Sequence, residues 1–155
     1  DSLSGTTLVE SKYTWINANL TYKIMPELTA AIDYLVRSND PDVANSTSTK
    51  VTTIDAYVRY MVTENFPLTV RYENYKDDGQ DGLLSNTLFT SGFSQYKVSS
   101  YTVTAGYNLT KNLEVRGEHR QDKADKNIYP TRNDTGGTEF KKTESISTVA
   151  LLLGF

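Results

Sequence analysis

The sequence predicts an all-β fold: a transmembrane, antiparallel, up-and-down β-barrel with about seven strands in this chain. Residues 1–155 are read as a single barrel domain or the C-terminal part of one. Three observations carry the prediction. Apolar and polar residues alternate in seven separate segments. The connections between those segments are short and long in turn. The last segment, TVALLLGF, keeps apolar residues at alternate positions up to Phe155. Period-two alternation is a strand signal, and two kinds of connection at opposite ends are the layout of an outer-membrane barrel.

The segments follow in order. In the first, Ile16, Ala18, Leu20, Tyr22 and Ile24 oppose Asn17, Asn19, Thr21 and Lys23, with Trp15 out of pattern. In the second, Leu28, Ala30, Ile32, Tyr34 and Val36 oppose Thr29, Asp33 and Arg37. In the third, Ile54, Ala56, Val58, Tyr60 and Val62 oppose Thr53, Asp55, Tyr57 and Arg59, and in the fourth Leu68, Val70 and Tyr72 oppose Thr69, Arg71 and Glu73. The fifth sets Tyr101, Val103, Ala105, Tyr107 and Leu109 against Thr102, Thr104, Gly106 and Asn108. The sixth sets Leu113 and Val115 against Glu114, Arg116, Glu118, Arg120 and Asp122, and ISTVALLLGF is the seventh.

Short connections are expected around Met25-Pro26-Glu27, Thr63-Glu64-Asn65 and Thr110-Lys111-Asn112, and long polar ones over 38–49, 76–96 and 123–143. Short turns belong on the periplasmic side and long loops outside. Tyr22, Tyr60 and Tyr107 precede the short turns, as expected of an aromatic girdle, with Tyr34, Tyr72 and Tyr101 towards the other ends.

Composition narrows the function. Sixteen basic against 19 acidic residues give a net charge of −3, without the basic excess of a general nucleic-acid binder. Cysteine is absent, which removes disulfide and thiol chemistry. The mean hydropathy of −0.49 is compatible with a barrel, because only alternate residues meet lipid. The polar face is the expected lining: Lys23, Arg37, Arg59, Arg71, Arg116 and Arg120 against Asp33, Asp55, Glu73, Glu114, Glu118 and Asp122. Six against six argues against strong ion selectivity. Arg59, Arg71, Asp55 and Glu73 fall on facing hairpin arms, so cross-strand ion pairs are expected there. Their role is either a field across a narrow pore or the stapling of strand register.

Other motifs read more plainly. DDGQDG, Asp77 to Gly82, has carboxylates close together but no bidentate Glu at the EF-hand spacing, since position 88 is Leu. It is read as a solvated turn, with no metal. LLSNTLFTSGF in the same loop is more apolar than a free loop needs, and is read as an extension of the flanking strands, the alternative being a constriction folded into the lumen. His119 falls on the lipid-facing parity near the outer end of its strand. No nucleophile–His–acid set, phosphate loop or metal-ligand cluster is present, so neither an enzyme nor a cofactor is implied.

The terminal pattern Thr148, Ala150, Leu153 and Phe155 resembles the signal by which outer-membrane barrels are delivered to the barrel-assembly machinery. LTVRYENYKDDGQDG, with SSYTVTAGYNLTKNLEVRGEHRQDKADKNIY, resembles the OmpL-like outer-membrane β-barrel porin family (β-barrel porin 2) over about residues 65–128. The resemblance implies a bacterial outer-membrane protein and a passive channel for small hydrophilic solutes, and supplies no catalytic residue. Its expected partners are outer-membrane lipid and the assembly machinery, with no nucleic acid. With the C-terminus periplasmic, seven strands place Asp1 outside, so further barrel strands are expected on another segment or chain. The alternatives are a non-conducting structural barrel, as a small OmpX-type surface protein or a sheath around a partner such as a cytochrome, and a soluble β-sandwich.

Overall fold

The computed structural model describes residues 11–41, 48–78, 95–132 and 138–154. Among these described residues nine strands follow in order: β1 (Ser11–Met25), β2 (Leu28–Pro41), β3 (Thr49–Thr63), β4 (Phe66–Asp77), β5 (Tyr96–Thr110), β6 (Leu113–Ala124), β7 (Tyr129–Arg132), β8 (Thr138–Lys141) and β9 (Thr143–Leu153). Seven of them form one antiparallel sheet in the order β1-β2-β3-β4-β5-β6-β9, so each strand pairs with its neighbour in sequence apart from the β7–β8 insertion. That hairpin lies within the segment read as the third long loop. β1 and β9 are the two edges of the sheet.

Strand lengths fit a membrane. The 15 residues of β1, β3 or β5 span roughly 50 Å, or roughly 38 Å along the normal at a tilt near 40°. That exceeds the apolar band of about 25 Å, so the strands have length to spare beyond it. Among the described residues no helix is long and apolar enough to cross a membrane, which says nothing about crossing by strands.

Parity along these strands is maintained by a repeated irregularity. Two-residue turns join β1 to β2, β3 to β4 and β5 to β6. Such a turn alone pairs odd positions with even ones and would put polar residues opposite apolar ones. Each hairpin instead shifts register by one residue beside its turn, between Lys23 and Met25, Met61 and Thr63, and Asn108 and Thr110. Beyond these bulges every pair joins side chains of one face. Tyr22, Tyr60 and Tyr107 each stand the same distance ahead of their turns, a repeat hidden in the sequence by the later position of Leu68. The turn carbonyls of Glu27, Asn65 and Asn112 accept from Met61, Asn108 and Gly154 at 2.8–2.9 Å, tying each turn to the following hairpin or strand.

The outer face exposes a broad apolar surface, including Ile16, Leu20, Tyr22, Val58, Tyr60, Val70, Tyr101, Val103, Tyr107, Val149 and Leu151. In water, contiguous exposure on this scale would be an aggregation liability; in lipid it is the solvated surface. What core there is sits at the loop end. Tyr96, Val98, Ala124 and Ile128 are buried together, with Tyr75 and Tyr129 packed against them.

The inner wall as candidate functional site

All twelve charged residues expected to line the barrel fall on one face. Register joins Lys23 to Thr29 to Arg59, Asp33 to Asp55 to Glu73, and Arg71 to Thr102 to Arg120, while Glu114, Arg116, Glu118 and Asp122 share the parity of Arg120 on β6. Arg37 is on the same parity of β2, paired with Trp15, and its guanidinium lies 5.6 Å from the centre of the indole ring. The out-of-pattern Trp15 therefore belongs to this inner face, as a cation–π partner.

The expected ion pairs across the β3–β4 hairpin do not form. Asp55 stands opposite Glu73, Arg71 opposite Tyr57 and Arg59 opposite Thr69. The cause is register: pairing is centred on the bulge, and there it sets like against like. A continuous row runs Asn19–Asp33–Asp55–Glu73–Ser100–Asp122–Glu144 from β1 to β9. Five of its seven members are carboxylates. Like charges directly opposite are destabilising, so this row needs outside support.

Support comes from both sides. On β1, the side-chain amides of Asn17 and Asn19 donate to the two oxygens of Asp33 at 3.0 and 3.2 Å. On β6, Arg120 donates from Nε to Asp122 at 2.7 Å and from Nη2 to Glu73 at 3.2 Å and Ser100 Oγ at 3.0 Å. The Glu73 contact reaches across β5, which is possible because small Ser100 lies between. A planar guanidinium presents several donors in a fixed fork and suits such bridging. Asp55 stands between Asp33 and Glu73, and its Oδ1 is buried with no hydrogen-bond partner among the described residues.

Towards the turns the inner face widens into a cavity of about 400 Å³, lined by Arg59, Thr69, Thr104, Glu114, Arg116 and Glu118 with Pro67 and Gly106. Arg116 bonds Glu114 at 2.9 Å, and Thr104 donates to Glu118 at 2.9 Å. Gly106 leaves room there for the Glu114 carboxylate: a Cβ would lie 2.6 Å from Glu114 Oε1, which would have to swing away, and 3.0 Å from Pro67.

At the loop end, the chain leaving β6 folds back over the inner face. Lys97 and Asp125 exchange bonds at 2.8 and 3.0 Å, and Ala124 and Ile128 donate to the carbonyls of Lys142 and Lys141. Tyr129, at the start of β7, is brought near Asp122, Glu144, Arg120 and Glu73; burial, followed by the Asp122 carboxylate, pushes its hydroxyl up to about 12. A cavity of about 150 Å³ lies beneath it.

Several inner-face residues went unrecognised in the sequence. Tyr75, on the parity of Glu73, was legible by position alone, as Tyr57 beside Asp55 had been. Glu144 was not assigned a face, and Tyr129 and Ile128 fell in a segment read as loop. His119 is on the outer face as expected, but it sits mid-strand rather than near the loop end, paired with Val103 and with Ser147, whose hydroxyl is 2.9 Å away. In β9, Val149, Leu151 and Leu153 are exposed on the outer face, whereas Thr148 and Ala150 are on the inner parity. Phe155 and residues 79–94 lie outside the described residues, so most of DDGQDG and all of LLSNTLFTSGF do too. Among the described residues no group of His, Cys, Asp and Glu is placed to hold a metal.

Comparison with curated proteins finds no match, and comparison with solved structures finds none. The family described as "Putative beta-barrel porin-2, OmpL-like" matches over residues 4–155, and a chain with this sheet and this match belongs to that porin family.

Proposed function

We propose that this chain forms wall of an outer-membrane channel through which small hydrophilic solutes diffuse passively. In this reading the short turns face the periplasm, the long loops face outward, and further strands pair with the β1 and β9 edges. An open edge in lipid leaves backbone groups unpaired at several kcal/mol each, so closure is required before insertion is stable. The charged residues of the inner face line the water path, and the protein acts as a conduit rather than a catalyst.

The observation that carries the proposal is the division of charge between the faces. Along the strands the inner face holds carboxylates and guanidiniums in a bonded network. Among the described residues the outer face bears mainly aliphatic and tyrosine side chains, with a neutral polar patch at His119, Gln121 and Ser147 and charge at the loop-end rows, at Lys12, Asp40, Lys50, Lys76, Lys97 and Lys123. A structural barrel needs the outer face but not a hydrated groove bordered by Arg59, Arg116 and Glu118 within the wall.

Planar-bilayer recording tests it. Insertion should give discrete conductance steps, and Arg71→Ala with Arg116→Ala should change step size or ion preference. Absence of steps from protein shown to be inserted would favour the non-conducting barrel. Unchanged conductance in the variants would assign these arginines to holding strand register.

A further inference from the structure

We infer that the cavity at the loop end of the inner face is a binding site for a single uncharged polyhydroxylated ring, that is, a neutral monosaccharide unit. The inference rests on reading the inner face as the wall of a solute path.

Its shape comes first. The cavity of about 150 Å³ is bounded by Tyr75, Tyr96 and Tyr129, with Glu73, Arg120 and Asp122 towards the turn side. It falls below the roughly 300–1,000 Å³ of drug-sized sites. Benzene fills an engineered cavity of about 150 Å³, so a sugar, with twice its heavy atoms, would seat one ring face here and leave part of its hydroxyl rim outside. Tyr75 and Tyr96 are tilted against each other at 33° with ring centres 5.7 Å apart, forming an aromatic wall. The β7 strand brings Tyr129 over the same space from the folded-back chain.

Chemistry comes second. A sugar ring offers apolar C–H faces and a rim of hydroxyls. The tyrosine rings match the faces. The planar groups of Glu73, Arg120 and Asp122 match the rim, because their mutual bonds leave further donor and acceptor positions. Tyr96 adds a specific mark: it is only 4% exposed, and among the described residues its buried hydroxyl makes no hydrogen bond of good geometry, although Tyr75 and Asp77 lie near it. A buried hydroxyl left unbonded costs free energy, and a solute hydroxyl would relieve it.

Charge comes third. Two carboxylates against one guanidinium leave the site with a net charge of −1, and Glu144 stands beside Asp122 in the same row. An anionic sugar acid would meet repulsion here, so the favoured ring is neutral.

The test uses the full chain folded into phosphatidylcholine vesicles, with D-glucose and D-glucuronate as probes in saturation-transfer NMR. Saturable glucose binding is expected, with a dissociation constant on the order of millimolar, as suits a solute that must also leave. Glucuronate should bind about ten-fold more weakly or worse. Tyr129→Ala should weaken glucose about ten-fold, and Tyr96→Phe, which keeps the ring and its packing, about five-fold. Tyr101→Ala, on the outer face, should leave binding unchanged. Absence of saturable glucose binding in vesicles where strand circular dichroism is intact overturns the inference. So does a Tyr96→Phe protein that binds like the parent, or glucuronate bound as well as glucose. Bilayer recording separates this from the channel reading: conductance without glucose binding removes the site alone, and glucose binding without conductance removes the channel alone.

Discussion

The inner and outer faces are built from the same strands, residue by alternate residue, yet they solve opposite problems. On the outer face, apart from contacts such as His119 with Ser147 and Tyr72 with Tyr101, the apolar side chains have no set partner: Val70, Val103 and Val149 need only be apolar. On the inner face position depends on neighbours. Asp33 is held by Asn17 and Asn19 from the neighbouring strand, and Glu73 by Arg120 from across β5, while Asp122 is held by Arg120 within β6. One face is specified by composition, the other by register. Substitutions should therefore be governed by polarity outside and by partners inside.

The largest effect expected from that contrast uses two adjacent residues of β4. Val70→Arg places a cation on the outer face near mid-strand and should cost about 2–4 kcal/mol in unfolding from vesicles by urea. Thr69→Arg makes the same change one position away, on the inner face beside the 400 Å³ cavity, and should cost within about 1 kcal/mol. Equal costs would break the distinction between a lipid face and a water face.

A second pair of substitutions sharpens the register argument within the inner wall. Arg120→Ala removes the group that holds Glu73, Ser100 and Asp122 together, and its side chain is 28% exposed. The loss should be about 1–2 kcal/mol, because two partly buried carboxylates are left without their donor. Arg116→Ala breaks one pair to Glu114 whose arginine is 44% exposed, and should cost at most about 1 kcal/mol. Both are read from urea midpoints at constant slope. If Arg116→Ala proves the more damaging, the carboxylate row is not held from β6.

These contrasts also explain what could be read in the sequence. Alternation reveals which residues share a face, because side-chain direction has period two and needs no knowledge of pairing. All twelve charged residues and the seven main strands were legible for that reason. Opposition across strands was not. It depends on a one-residue bulge beside each turn, and nothing in MVTENFP distinguishes a plain two-residue turn from one with a register shift. Hence Arg71 was expected to pair across its hairpin and faces Tyr57 instead. The β7–β8 hairpin was illegible for another reason: YPTR and TEFK are four residues each, too short to establish a period, and one contains proline. Tyrosine misled in its own way. The amphipathic ring that suits a membrane boundary also suits a polar cavity, so Tyr96 and Tyr129 carried no mark of their side, whereas parity with Glu73 placed Tyr75.

The smallest expected effect concerns the place where the two arrangements meet, the hairpin folded over the inner face. Tyr129 has its hydroxyl pushed up to about 12, first by burial and then by the carboxylate of Asp122. An ordinary tyrosine ionises near 10. Because the folded-state value is the higher one, the folded chain favours the neutral phenol. Its contribution to stability is complete below about pH 10 and is lost as pH rises from there through about 12. An absorbance titration of the phenolates should therefore contain a late component, missing in Tyr129→Phe, and the parent should lose stability relative to that variant across this window. A Tyr129 that titrates near the ordinary value of about 10 would mean that the hairpin stands away from the wall. The loop end would then be as open as the turn end, and partner-dependence would be confined to the row of carboxylates below it.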